Sequence, residues 1–217
     1  QEQLLAEVEK ININPDIDGL IVQLPLPSHI DEMKVTEAIL QTKDVDGFHP
    51  ENLGRLVQGR MDGMLPCTPS GVMRMLKWAG IETSGKSAVV LGRSRIVGNP
   101  MALLLGAKGV DCTVTVAHSR TVDSREVCSK ADILIAAVGR AEMVTADWVK
   151  QGAVVVDVGI NRVEDSTRDR GWRLAGDVHP DVGEVASLLS PVPGGVGPMT
   201  VAMLMANTVT AAESQHS

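Results

Sequence analysis

The sequence predicts an α/β protein: a parallel sheet covered by helices on both faces, preceded by a smaller mixed segment. Three observations carry that prediction. Between residues 87 and 161, four short apolar runs, "SAVVLG", "CTVTVAH", "DILIAAVG" and "AVVVDVGIN", alternate with helix-like segments. Those runs are close to continuous in Val, Ile, Leu and Ala, which suits strands buried on both faces rather than one. A turn holding Gly92 and Gly98 leads from the first run into the helix-like "NPMALLLGAKG", as at the opening of a βαβ series.

In chain order, "EQLLAEVEKIN" places Leu4, Leu5 and Val8 at helical spacing. "DGLIVQLPLP" is a short apolar run closed by prolines and reads as a buried strand, with Gln23 at its end. "IDEMKVTEAIL" reads as a helix with acidic residues in its first turn. "QTKDVDGFHPENLGRL" reads as a loop, with Asp-Gly as a turn signal. In "PCTPSGVMRMLKWAG", Thr68 suits an N-cap, Pro69 the first helical position, and Gly80 the end of that helix. "SREVCSKA" is a short helix, and the charged "NRVEDSTRDRGWR" an exposed loop or hairpin. "PMTVAMLMANTVTAAE" closes the chain as a helix with Val201, Leu204, Met205 and Val209 on one stripe, its methionines read as core filler.

Composition excludes several classes. At 217 residues the chain can bury a sizeable core in one or two domains. Its 44% hydrophobic and 22% charged residues suit a globular protein, and a net charge of −7 argues against a general binder of nucleic acid or anionic membranes. No apolar run reaches membrane-spanning length, and "QEQLLAEVEK" is not a signal peptide. Cys67, Cys112 and Cys128 are odd in number and lack metal-ligand spacing, so they read as reduced, buried thiols of an intracellular protein, and no metal site is expected. Tyrosine is absent.

"VVLGRSRIVGNP" carries the first chemistry. Glycines in such a turn let a pyrophosphate approach the backbone at a helix N-terminus, the Rossmann-type arrangement. The spacing Gly92, Ser94, Gly98 departs from G-x-G-x-x-G, and an ordinary strand-to-helix connection would look similar. The end of the next strand says more. An NAD site usually places a carboxylate there for the ribose hydroxyls. Here "HSRT" supplies His118, Ser119 and Arg120 instead, and Arg93 can add a second guanidinium. A serine with two arginines fits a 2′-phosphate, which favours NADP over NAD. The alternative is two solvated surface arginines. "SPVPGGVGPMT", with three prolines and three glycines, is stiff and sharply turned. It could cradle a flat ligand or simply link two elements.

Taken together, "DGLIVQLPLP", "KDVDGFHPENLGRL", "PCTPSGV", "GRSRIVGNPM", "HSRT", "GAVVVDVGIN", "GDV" and "PVPGGVGPMTVAMLM" resemble the methylenetetrahydrofolate dehydrogenase/cyclohydrolase family, in family order over residues 18 to 209. The resemblance implies two α/β domains with a cleft between them. Residues 69–198 would form the Rossmann NADP-binding domain, and 1–68 with 199–217 a folate-binding catalytic domain, incomplete at its N-terminus. It implies NADP-dependent oxidation of methylenetetrahydrofolate to the methenyl form, hydrolysis of that to formyltetrahydrofolate, and a homodimer formed through the Rossmann domain. The cytoplasm is the expected compartment, with the mitochondrion left open. Gln23 and Asp46 match the family's catalytic glutamine and pterin-anchoring aspartate. Leu24, Pro193, Gly194 and Gly195 would join them around the folate. Gly92, Arg93, Ser94, Val97, Gly98, Pro100, His118, Ser119, Arg120, Gly139, Ile160 and Thr200 would line the cofactor site.

One departure stands out. The family's proton-transfer lysine lies in a Tyr-x-x-x-Lys motif upstream of the segment matching "DGLIVQLPLP", and a chain without tyrosine cannot contain it. The expectation is a fragment that binds NADP but turns over poorly by itself. Two other classes stay open on sequence: a different two-domain NADP-dependent dehydrogenase, resembling shikimate dehydrogenase, and a non-catalytic binding protein that keeps only the Rossmann unit.

Overall fold

The computed structural model describes residues 1–216 and divides into two compact units, Gln1–Cys67 with Val201–Ser217, and Thr68–Thr200. The boundary falls within the last helix.

In the larger unit, β1 (Ser87–Leu91), β2 (Thr113–Ala117), β3 (Ile133–Ala136), β4 (Val154–Asp157) and β7 (Leu188–Leu189) form a parallel sheet in the order β2-β1-β3-β4-β7. All four residues of β3 and of β4 are buried, as their Val, Ile, Leu and Ala content suits; the one exception in kind is Asp157, which closes β4. The edge strand β2 is different: its threonines are exposed, and only Ala117 is buried. Helices α4 (Cys67–Trp78), α5 (Gly98–Gly106) and α6 (Ser124–Cys128) belong to this unit, while β5 (Asn161–Glu164) and β6 (Trp172–Ala175) form an antiparallel hairpin, one of the two readings of the charged segment. Helix α4 ends at Gly80 with φ +67°: the Gly80 N–H donates to Lys77 O and the Ile81 N–H to Leu76 O, a Schellman closure. Its start differs from expectation. The helix begins at Cys67, and Thr68 is not its cap; the Thr68 hydroxyl lies 3.0 Å from that of Thr200 instead.

In the smaller unit, α1 (Glu2–Asn12) and α2 (Glu32–Ala38) bury Val8, Val35 and Ile39 against one another. Asp31 caps α2 by accepting from the Met33 and Lys34 N–H groups. Helix α3 (Pro50–Val57) forms inside the segment read as loop. Its signals were Pro50 at the first helical position and Leu53 with Leu56 three apart; His49 caps it by accepting from the Glu51 N–H. The strand expected over "DGLIVQLPLP" does not form. The run is held as strand at one bridge only, Leu20 to Asp44, and Pro25 and Pro27 offer no N–H to extend the pairing.

The last helix, α7 (Val196–Gln215), starts before Pro198 rather than after it. Its buried face is not the expected stripe. Leu204, Asn207 and Ala211 turn inward toward Val45 and Met64, while Val201, Met205 and Val209 are each more than half exposed. The helix is apolar on both faces, so periodicity could not choose between them. No described helix is long and apolar enough to cross a membrane.

Candidate active site

The turn after β1 is built around two glycines with no room for a side chain. A Cβ on Gly92, at φ +126°, would overlap the Ala137 carbonyl oxygen, and one on Gly98 would overlap the Gly92 carbonyl. Ser94 stands where the middle glycine was expected, and its side chain closes the turn onto α5. Its Oγ accepts from the Val97 N–H at 3.1 Å and the Gly98 N–H at 3.3 Å. Pro100 is buried in the first turn of that helix. Such a close-backbone turn at a helix N-terminus fits a pyrophosphate.

The neighbouring turn is tied to it, because the Gly92 N–H donates to Ala117 O at the end of β2 at 2.8 Å. There "HSRT" folds back on itself. The His118 N–H donates to Thr121 Oγ1, the Thr121 N–H to His118 O, and the Arg120 N–H to His118 Nδ1. Ser119 and Arg120 are left exposed at the apex, and Arg93 is exposed on the adjoining turn. No described carboxylate pairs with either arginine.

The remaining residues of this unit also follow C-terminal strand ends, where ligands of open parallel sheets bind. Gly139, at φ +65°, follows β3, and exposed Ile160 follows β4. Pro193, Gly194 and Gly195 follow β7; a Cβ on Gly195 would overlap the Pro191 carbonyl, and Gly197 faces the Ile160 side chain. Thr200 sits in the first turns of α7, its hydroxyl against Thr68. A separate cleft at the opposite ends of the strands, where Lys150 pairs with Asp132 at 2.6 Å, contains none of these residues.

In the smaller unit the acidic turn "KDVDG" separates into two roles. Asp44 is 1% exposed and accepts from the Phe48 N–H at 3.1 Å, the His49 N–H at 2.8 Å and Asn52 Nδ2 at 2.8 Å. Asp46 is half-buried, and no described residue donates to its carboxylate. Burial first, and the Asp44 charge second, push its pKa up to about 6. Leu24 and Asp46 line one small cavity with Val22, Val35, Ile39 and Phe48. Gln23 is exposed, its amide donating to Leu24 O at 3.2 Å.

Sequence reasoning missed Asn207, which reaches from α7 to hold Val45 O, within that turn, at 2.8 Å and Leu65 O at 2.9 Å. Its position among apolar residues three and four apart on α7 was the available signal. Lys43 and Lys10 are both engaged elsewhere. Lys43 is 4% exposed, with Nζ donating to Ile11 O and Asn14 O, and Lys10 pairs with Glu7. Cys67 and Cys128 are buried with thiol pKa values pushed up to about 12 by desolvation, which removes both as nucleophiles. Among the described residues no cluster of three His, Cys, Asp or Glu is placed to hold a metal.

Comparison with known proteins sets this geometry in a family. Residues 66–216 match the NAD(P)-binding domain, and residues 1–46 the catalytic domain, of tetrahydrofolate dehydrogenase/cyclohydrolase. The chain belongs to this family. Among tetrahydrofolate dehydrogenase/cyclohydrolases it is 58% identical to the bifunctional protein FolD of Cytophaga hutchinsonii, over 98% of this chain and 74% of that one. It superposes on the bifunctional FolD methylenetetrahydrofolate dehydrogenase/cyclohydrolase of Campylobacter jejuni with TM-score 0.91 and 46% identity, covering 99% of this chain and 74% of that one. It superposes on the Trypanosoma brucei FolD, solved with NADP cofactor and an inhibitor, with TM-score 0.92 and 42% identity, covering 98% and 72%. Membership of the dehydrogenase/cyclohydrolase family removes the shikimate-dehydrogenase-like alternative.

Proposed function

We propose that this protein oxidises methylenetetrahydrofolate with NADP and hydrolyses the resulting methenyl cation to formyltetrahydrofolate. The observation that carries this reading is Asp46: a desolvated carboxylate without a donor among the described residues, beside an Asp44 that accepts from three. Such a group is ready for the amino and ring N–H donors of a pterin. Leu24 gives the pocket an apolar wall, and Gln23, exposed beside it, positions groups at the reacting centre.

The cofactor is NADP. Gly92 and Gly98 admit the pyrophosphate, with Ser94, Val97 and Pro100 shaping the turn. Ser119, Arg120 and Arg93 hold the 2′-phosphate, with His118 fixing the turn that presents them. Gly139, Ile160 and Thr200 complete the site, and Pro193, Gly194 and Gly195 serve the folate. When bound, NADP accepts the hydride that leaves the methylene carbon. Water then adds to the methenyl carbon, a proton leaves, and one carbon–nitrogen bond opens to give the formyl group. The chain's own share is to bind and orient both molecules.

On this reading the unit Thr68–Thr200 is the cofactor domain and the remainder the folate-binding domain. The same reading takes the protein as cytoplasmic and as a homodimer through the cofactor domain, which light scattering on the purified protein tests. The function itself is tested by titrating methylenetetrahydrofolate into NADP-loaded protein and its Asp46→Asn variant. Loss of folate affinity with unchanged NADP affinity supports the reading; equal folate affinity contradicts it.

A further inference from the structure

Two buried carboxylates in the unit Thr68–Thr200 take no part in the site described above. Asp157, at the end of β4, accepts from the Gly159 and Asp177 N–H groups through Oδ1, at 3.0 and 2.9 Å, and from the Val178 N–H through Oδ2 at 3.0 Å. Its own N–H donates to Ser190 Oγ at 2.8 Å. Asp177, 0% exposed, continues the chain of contacts. Its Oδ2 accepts from the Val138 N–H at 2.6 Å and the Gly139 N–H at 2.9 Å; its Oδ1 accepts from the Arg140 N–H at 2.8 Å and Asn161 Nδ2 at 3.0 Å. The fit is close: a Cβ on Gly159 would overlap the Asp177 carboxylate, and one on Gly176 that of Asp157.

Three successive backbone N–H groups after β3 are therefore turned inward onto one side chain, and the path of residues 138–140 is set by Asp177. The sheet order β2-β1-β3-β4-β7 places this loop opposite the serine and arginine turn. The chain crosses from β1 to β2 on one side and continues through β3 on the other, so the topological switch point lies between β1 and β3. A dinucleotide across that point rests one half on each side. With the 2′-phosphate of the adenosine half at the end of β2, residues 138–140 serve the other half.

We infer that Asp177 is a positioning residue for the nicotinamide half of the cofactor, acting through the Val138, Gly139 and Arg140 N–H groups rather than by contact. The inference rests on the NADP reading above. It is tested on the full chain with two probes, NADP and adenosine 2′,5′-bisphosphate, which carries only the adenosine half and its 2′-phosphate. Asp177→Asn places an amide NH₂ against inward-pointing donors. NADP affinity should fall about ten-fold or more, and bisphosphate affinity should stay within about two-fold of the unsubstituted protein. Asn161→Ala removes a single donor and should give the same selective loss at about two- to five-fold; it decides the matter if Asp177→Asn does not fold. A purely structural role would leave both affinities unchanged in folded protein or lower both alike, and either result overturns the inference. Failure of the unsubstituted protein to bind the bisphosphate would instead overturn the NADP reading, and this inference with it.

Discussion

Asp44 and Asp46 stand two residues apart in one turn and have opposite surroundings: Asp44 accepts from three donors, and Asp46 from none among the described residues. The first holds the turn, and the second is the pterin's acceptor in the function proposed above. Each role predicts its own response to substitution.

Asp46 makes stability depend on pH. An ordinary aspartate keeps its proton only below about pH 4, whereas folded Asp46 keeps its own up to about 6. Between those values the folded state binds more protons than the unfolded one, so stability falls as pH rises from 4 to 6, and the penalty persists above. For a half-buried group that penalty is about 1–2 kcal/mol after solvent screening. Asp46→Asn should remove this slope and stabilise the protein at pH 7, as measured by urea unfolding across that range.

Asp44 should behave in the opposite way. Asp44→Ala leaves the Phe48 and His49 N–H groups without their acceptor and the Asn52 amide with Gln41 O alone, and should destabilise the protein by about 2–4 kcal/mol. The same urea series reads this, and a loss below about 1 kcal/mol would remove Asp44 from its turn-holding role.

Folate affinity should depend on ionised Asp46. Binding of methylenetetrahydrofolate should weaken as pH falls through about 6 and stay flat above, because only the charged carboxylate offers all its acceptor sites. Asp46→Asn should abolish the pH dependence along with most of the affinity. A pH dependence that survives the substitution would move the pterin anchor elsewhere.

Arg120 should discriminate between cofactors. Charge-assisted hydrogen bonds contribute roughly 1.5–3 kcal/mol, so Arg120→Ala should weaken NADP about 10- to 100-fold and leave NAD almost unchanged. Competitive titration reads both. Equal losses would contradict the 2′-phosphate assignment.

The parallel sheet was legible because β1, β3 and β4 are runs of Val, Leu, Ile and Ala, with only Ser87 opening β1 and Asp157 closing β4. What stayed hidden depended on tertiary partners. "DGLIVQLPLP" has strand composition but pairs only at Leu20, a fact of its neighbours and not of its residues. The faces of α7 are equally apolar, so only packing shows that Leu204, and not Met205, turns inward. Asp44 and Asp46 are the same residue type in one short motif, and three hydrogen bonds separate their roles. Asp157 and Asp177 lie twenty residues apart, and nothing in their spacing announces that one holds the other.

NADP-dependent oxidation of methylenetetrahydrofolate is read by following the reduction of NADP at its near-ultraviolet absorbance. Two proteins are compared: the protein and its Asp46→Asn variant. The protein should reduce NADP in preference to NAD. Asp46→Asn should lower the rate at sub-saturating folate about ten-fold or more while NADP affinity is unchanged. A protein that does not reduce NADP, or an Asp46→Asn variant that turns over at the same rate, would contradict this reading of the protein.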